Sequence, residues 1–344
     1  MEVNLADVKI KPLLNTIQRL KISDEEYFSK KYRNYISNSR LKKINPNEDG
    51  CPSLYHGGLS NETTNSLILG SAVHCALLQP ESFHLAEDLQ RPSAKLGRVC
   101  DIIIKNRAKG LSILNSITEA CREVSYYENS LTNSRIKDII KKGLYYYFAS
   151  KSIDEGAIVL SSRDRETCLN CLNNLQSNRE IMRTLHPVDF FGDKIPSYNE
   201  DAIFLDVKCE YKGKSVILKL KMKADNWTID VDNKKLVLND LKTTGRPINF
   251  FMQEYGSFNH YHYGRQLAMY LWMLSILCQK KFKVDKSWDI QANIIAVETV
   301  GENRASLFRI PKSRLIEGNK EFQRLLKMVG ICEMFGYDDS IVFN

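Results

Sequence analysis

The sequence predicts an α/β (α+β) protein: a central mixed β-sheet flanked by helices, preceded by a mostly helical N-terminal portion. Three observations predict it. Residues 202–241 contain β-rich runs separated by turn residues. Tyr263, Leu267, Tyr270, Leu274 and Leu277 then recur at steps of three and four, the stripe of an amphipathic helix. Two more strand-like runs and a final helical run complete the chain, an order that fits a sheet covered by helices.

In chain order, residues 1–30 read as helical, with Val8, Leu13, Leu14, Ile17 and Leu20 as a rough apolar stripe. Ser37 or Ser39 caps a short helix carrying Leu41 and Ile44, which Pro46 ends. Residues 46–60 hold Pro, Gly, Asn and Asp and read as a loop. A helix is expected from Thr64 to about Leu78. Its small residues Gly70, Ala72 and Ala76 imply close packing, and His74 interrupts its apolar run. Residues 85–160 alternate helical stripes with polar connectors. Within them Ile136–Phe148 fits either a helix or a hairpin through Gly143.

Ser161-x-x-Asp164 has the form of a capping box for a helix carrying Cys168, Leu172 and Leu175. Strands are expected at Ala202–Glu210 and Ser215–Lys223, joined by the turn Tyr211-Lys212-Gly213-Lys214. Two more follow at Trp227–Val231 and Lys235–Leu241. Leu218, Leu220 and Met222 alternate with Lys219, Lys221 and Lys223, so one face is apolar and the other basic; continued alternation puts Asp225 on the basic side. After a long helix at Phe250–Cys278 come strands at Ile290–Val300 and Ser306–Ile310. Pro311 suits the first turn of the last helix. A division near residue 160 is expected: 1–160 helical, 161–344 holding the sheet.

The chain has 344 residues and ordinary apolar and charged fractions for a globular protein. Its longest apolar run, Leu67–Leu78, falls short of the roughly 18–20 residues a membrane helix needs. The N-terminus Met-Glu-Val-Asn-Leu-Ala-Asp lacks a basic segment followed by an apolar one, so a cytoplasmic location without membrane association is expected. Nine scattered cysteines point to reduced thiols. Cys168 and Cys171 form a Cys-x-x-Cys with no second pair at zinc-site spacing. A net charge of +8 permits a polyanionic partner without requiring one.

The chemistry centres on Asp240-Leu241-Lys242. Side chains two apart on a strand share a face, so Asp240 and Lys242 stand together. Asp225 ends an earlier run, and on neighbouring strands the two carboxylates approach each other. Two aspartates and a backbone carbonyl are hard oxygen ligands suited to Mg²⁺ or Mn²⁺, and a lysine beside them can orient or deprotonate a water. Gln266 and Tyr270, four apart on the following helix, share a face. They can orient the water or a scissile phosphate. The basic face Lys219, Lys221, Lys223 would neutralise a nucleic-acid backbone.

Taken together, these stretches resemble the PD-(D/E)XK nuclease superfamily, with its restriction-endonuclease-like core, and in particular its phage RecE-like and lambda-exonuclease-like exodeoxyribonucleases. Ile36-Ser37-Asn38-Ser39-Arg40-Leu41 resembles the N-terminal Ser-x-Ser-x-Leu element. Gly70-Ser71-Ala72-Val73-His74 with Pro80-Glu81-Ser82-Phe83 is similar to the Gly-x-x-x-His helix and its Pro-Glu-x-Phe sequel. Asp240-Leu241-Lys242-Thr243-Thr244 resembles Asp-x-Lys-Thr-Thr, and Tyr263-Gly264-Arg265-Gln266-Leu267-Ala268-Met269-Tyr270 resembles Tyr-x-x-Gln-x-x-x-Tyr. The matches run in the family's order over roughly residues 35–330.

The resemblance implies that Asp225, Asp240 and the Leu241 carbonyl hold catalytic magnesium. Lys242 is then the catalytic lysine, and Gln266, Tyr270 and His74 complete the site. Glu200, or failing it Asp201, is the acidic residue before the first core strand. Lys219, Lys221, Lys223 and Arg265 are expected to contact DNA. Only Cys278 and Cys332 lie where some nucleases hold an iron–sulfur cluster, so none is expected. The implied substrate is double-stranded DNA with free ends, digested for phage recombination or replication. A single-strand annealing protein is an implied partner and a ring-shaped homo-oligomer an implied assembly. An endonuclease or a repair or packaging nuclease of the same fold, or a DNA-binding or virion-associated relative without chemistry, are the alternatives.

Overall fold

A computed structural model describes the chain except residues 59–63, 86–91, 93, 128–129, 152–157, 159 and 193–194, and the side chains of 144–151. In chain order the elements are β1 (Glu2–Val3), β2 (Lys9–Pro12), β3 (Gln18–Leu20), α1 (Asp24–Tyr27), α2 (Asn38–Lys42), α3 (Pro52–Gly57), α4 (Asn65–Leu78), α5 (Ala94–Ala108), α6 (Ile113–Glu123), α7 (Asn133–Lys151), α8 (Ser162–Ser177), α9 (Arg179–Leu185), α10 (Val188–Phe191), β4 (Ser197–Tyr211), β5 (Lys214–Asp230), β6 (Lys235–Thr244), α11 (Ser257–His260), α12 (Tyr263–Phe282), β7 (Asp289–Glu298), β8 (Ala305–Arg309), α13 (Lys312–Phe335) and β9 (Val342–Phe343). No described helix is long and apolar enough to cross a membrane.

The chain forms two compact units. One comprises Met1–Ser60, Gln176–Val297 and Ala305–Asn344; the other comprises Asn61–Leu175 and Glu298–Arg304. The division is therefore not a single cut near residue 160. The first sixty residues belong with the sheet, because β2 and β3 both pair antiparallel with β4. This also corrects the helical expectation for residues 1–30, where strands and short 3₁₀ turns stand instead. The apolar residues there follow no strict period, and pairing with a strand almost two hundred residues away decides their conformation.

The sheet of the first unit is mixed, with order β2-β4-β5-β6-β7-β8 and β3 beside β4. β4 and β5 form a long hairpin whose turn places Lys212 and Gly213 at positive φ (46° and 80°), as a type I′ turn requires. The expected separate strand at Trp227–Val231 is the continuation of β5. Leu218, Leu220, Met222 and Ala224, and then Trp227 and Ile229, all enter one core, so the apolar alternation changes phase between Ala224 and Trp227. Asp225 lies at that change. It is not simply the next residue of the basic row.

α12 and α13 contribute their apolar stripes, from Leu267 to Cys278 and from Phe322 to Cys332, to the same core as the strands. They cross closely at two glycines: a Cβ on Gly318 would lie 2.1 Å from the Gly264 carbonyl oxygen. The expected helix from Phe250 begins at Tyr263 instead. His262 takes a left-handed conformation at its start, and α11 is a separate short turn before it.

In the second unit, Val99 and Ile103 of α5, Ile117, Ala120 and Cys121 of α6 and Ile139 of α7 form their own core. Residues 136–148 are helical. Gly143 lets α5 approach, since a Cβ there would meet the Cys100 sulfur at 2.6 Å. Thr64 caps α4, accepting the Leu67 N–H. Ser161 and Asp164 form the expected cap of α8: Ser161 Oγ accepts the Asp164 N–H at 3.1 Å and donates to its carboxylate at 2.7 Å. Cys168 and Cys171 are buried on α8, and burial pushes their thiols up to about 12 and about 11.

Candidate functional site

The site forms where the β5 ladder is interrupted. β5 pairs with β6 from Asp230–Lys235 as far as Asn226–Asn239. Farther along the same edge, Ile36 takes the place beside β5, its N–H donating to the Lys219 carbonyl and its carbonyl accepting from Lys221. Between these two partners lies Asp225. Its Oδ2 accepts the N–H of Leu241 at 2.7 Å. On the other side, β4 and β5 pair at Asn199–Asn226 and at Asp201–Ala224, and the position between them is Glu200 opposite Asp225. Glu200 adopts φ 52°, a left-handed conformation in the middle of a strand. Glu200, Asp225 and Asp240 therefore occupy successive positions across β4, β5 and β6.

Asp240 is buried and doubly held: Gln266 Nε2 donates to Oδ1 at 3.0 Å, and Lys242 Nζ lies 2.6 Å from Oδ2. The Gln266 contact brings α12 onto the carboxylates. Burial works against the Lys242 charge, but the carboxylates of Asp240 and Asp225 outweigh it and raise the affinity of its amine for a proton. Burial pushes the Asp225 carboxyl above its usual range, against the pull of Lys242 and of the Leu241 N–H. Tyr270 is raised well above an ordinary phenol, chiefly by burial, and its hydrogen bond with Gln266 opposes the rise.

Tyr263, the first tyrosine of the Tyr-x-x-Gln-x-x-x-Tyr stretch, also belongs to this cluster. Lys242 Nζ lies 5.1 Å from the centre of the Tyr263 ring, and burial pushes that phenol up to about 12. Tyr263 stands three residues before Gln266 and so shares its helix face. Unnoticed in the sequence was a chain of asparagine amides next to the acids. Asn226 donates to Asn199 at 2.7 Å, Asn239 to Asn226 at 2.7 Å and Asn293 to Asn239 at 2.9 Å. These bonds tie β4, β5, β6 and β7 together beside the carboxylates. The dipeptides Asp225-Asn226 and Asn239-Asp240 were their trace in the sequence.

Of the two acids considered before the first core strand, Glu200 is beside the cluster, bonded to Lys223 at 2.8 Å. Asp201 is fully buried and committed elsewhere, to Arg19 at 2.9 Å and the Trp227 indole at 2.9 Å. His74 lies half-buried on α4 of the second unit. The basic row needs correction. Lys219 is exposed, but Lys221 is buried, donating to the Tyr27 carbonyl at 2.8 Å with its Nζ 4.2 Å from that ring's centre. Lys223 is held between Asp24 and Glu200. The N-terminal segment covers this side of the hairpin. Arg265 is likewise not a surface cation: it is 2% exposed, and its guanidinium is bound by Asn38, Glu48 and Glu321.

Glu200 and Asp225 bring carboxylate oxygens within 4.8 Å of each other, and such hard oxygens suit a divalent cation. The neighbouring ammonium groups, Lys223 and Lys242, are fewer than the carboxylates of Glu200, Asp225 and Asp240. Burial raises the affinity of the Asp225 carboxyl for a proton.

No family model matches this sequence, and no curated protein matches it. Among solved structures, the Eubacterium rectale protein named "Putative exonuclease" aligns over 90% of this chain and 86% of its own, with 12% identity and a TM-score of 0.42. Protein VC1899 from Vibrio cholerae aligns over 81% of this chain and 58% of its own, with 12% identity and a TM-score of 0.16. Rai1 from Scheffersomyces stipitis aligns over 97% of this chain and 84% of its own, with 8% identity and a TM-score of 0.18.

Proposed function

We propose that this chain is a metal-dependent deoxyribonuclease, an exonuclease that digests duplex DNA from its ends. One observation carries the reading: Lys242 lies 2.6 Å from Asp240, which Gln266 holds from the facing helix, with Asp225 at the adjacent position of the neighbouring strand. The ordered resemblance from Ser37 to Tyr270 supports the same reading.

Glu200, Asp225, Asp240 and the Leu241 carbonyl would hold the cation, Mg²⁺ or Mn²⁺. When bound, it supplies Lewis-acid charge at the scissile phosphate and acidifies the attacking water. Lys242 orients that water and offsets the negative charge that develops on the phosphate. Gln266 fixes Asp240. Tyr270, bonded to Gln266, fixes Gln266 in turn, and Tyr263 closes the side of the site next to Lys242. The partner would be duplex DNA with free ends. A single-strand annealing protein would use the tail that digestion leaves, and a ring-shaped oligomer would keep the enzyme on its track.

The test is digestion of end-labelled linear duplex and of closed circular DNA, with and without Mg²⁺. Loss of linear DNA only, abolished in Lys242→Ala and Asp240→Ala, is expected. Cutting of circles replaces the exonuclease with an endonuclease of the same chemistry. Binding without cleavage in Mg²⁺ or Mn²⁺ overturns the enzymatic reading.

A further inference from the structure

The first unit has a second concave surface, away from the carboxylates. Along β5 and β6 the side chains alternate, so Asp225, Trp227 and Leu238, Asp240 belong to one face and Asn226, Thr228 and Val237, Asn239 to the other. That second face, together with α9 and α10, borders an open cleft of about 900 Å³. Its volume lies at the large end of the range for small-molecule sites, roughly 300–1,000 Å³.

The lining is cationic and contains an aromatic ring. Arg179 and Arg183, four apart on α9, project from the same side of the helix. Lys235 and Arg309 face them from the sheet, and Glu180 and Asp230 are the acids present. Arg309 is paired with Glu180 at 2.6 Å, and Lys235 stands opposite Asp230 in the β5–β6 register. Among the described residues neither Arg179 nor Arg183 has a carboxylate partner. Arg183 lies instead over the Phe191 ring, 4.4 Å from its centre. The floor is polar: Thr228, Gln291 and Asn293, the last being the end of the asparagine chain that passes behind Asp240.

We infer that this cleft binds nucleotides, with Arg179 and Arg183 on the phosphate and Phe191 stacked on the base. Arginine is suited to this role, because its planar fork pairs phosphate in bidentate fashion and stacks on flat rings. An aromatic platform beside cations is the pattern by which single-stranded nucleic acid is held without sequence preference. The amides and the hydroxyl of the floor supply donors and acceptors for a sugar or a base edge. The site does not rest on the nuclease reading, since no residue of the carboxylate cluster lines it.

The same chemistry comes from a free mononucleotide or from a segment of single strand, and two arms of one experiment separate them. Thymidine monophosphate, (dT)12 and inorganic phosphate are titrated into the full chain in EDTA by isothermal calorimetry. Saturable binding of thymidylate or of (dT)12 is expected, weakened at least tenfold by R179A/R183A and several-fold by F191A. Arg179, Arg183 and Phe191 are exposed, so these variants should keep the wild-type melting temperature. Thymidylate binding as tightly as (dT)12 identifies a free-nucleotide site, and tighter (dT)12 a strand site. No saturable binding of either, binding indifferent to R179A/R183A, or phosphate binding as tightly as thymidylate overturns the inference.

Discussion

Asp225 and Asp240 stand one position beyond the last β5–β6 pair, Asn226 with Asn239, where the two strands stop sharing backbone hydrogen bonds. The Asp225 carboxylate takes over the bond that the ladder no longer makes, accepting the Leu241 N–H. The acids are thus fixed by the sheet yet released from it on the side facing α12. Gln266 reaches Asp240 from that helix, donating to Oδ1 at 3.0 Å, and under the proposed function it positions the carboxylate. Gln266→Ala should lower metal-dependent DNA cleavage by about 10–100-fold, the usual cost of losing a group that orients a metal ligand. The loss should be partly rescued by raising Mg²⁺, whereas that of Lys242→Ala should not. Cleavage rates over a Mg²⁺ titration check both.

Arg265 looks like a DNA contact in the sequence and is a structural cation in the fold. It joins α12 to Glu48 near α2 and to Glu321 of α13, with Asn45 also donating to both carboxylates at 2.8 Å. Removing this buried guanidinium leaves the partly buried Glu48 and Glu321 without it, Glu321 keeping His262 at 3.0 Å. Arg265→Ala should cost about 3–5 kcal/mol of stability, the range for breaking a buried pair from one side. Lys219→Ala should leave stability unchanged. Urea denaturation of the two variants distinguishes a structural arginine from a surface one.

The parts of the site that could be read from sequence are those whose geometry is local. Asp240 and Lys242 share a face because strands alternate, and Gln266 and Tyr270 share one because helices turn every 3.6 residues. The parts that could not be read depend on distant partners. The phase change between Ala224 and Trp227 accompanies the left-handed Glu200, which lies across the hairpin. The burial of Lys221 depends on Tyr27, whose segment is placed by the pairing of β2 and β3 with β4. An alternating row of lysines reads the same whether water or another segment covers it.

Lys221 should make stability depend on pH in the alkaline range. Burial, with Arg40 adding to it, lowers its amine to about 8 from the ordinary 10.5. Below about pH 8 it is protonated in both folded and unfolded chains, and the full cost of burying the charge is present. Between about 8 and 10.5 the unfolded chain binds more protons than the folded one, so this group's contribution to stability rises with pH. Lys221→Met keeps the length of the side chain and removes the charge. The variant should be more stable than wild type at pH 7 and should lose this part of the slope, as urea midpoints between pH 7 and 10 will report. An unchanged slope would show that Lys221 is not titrating there.

The crossing of α12 and α13 bears on how near Gln266 comes to Asp240, because Gly264 lies two residues before Gln266 on α12 and Gly318 packs against Gly264. A Cβ at 318 would meet the Gly264 carbonyl oxygen at 2.1 Å and its carbonyl carbon at 2.3 Å. Both are backbone atoms of a helix, so no side chain can rotate away and the helices must separate. Gly318→Ala should destabilise the protein by about 2 kcal/mol or more, at the upper end of overpacking costs because the clash is with main chain. It should also lower cleavage at temperatures where the variant remains folded, since α12 shifts and Gln266 moves with it. Gly57→Ala is the control: no atom lies within 4 Å of the added methyl, so stability and activity should be unchanged. Thermal melts and cleavage assays on the two variants, run below both melting temperatures, test whether the helix crossing sets the site's geometry or only its stability.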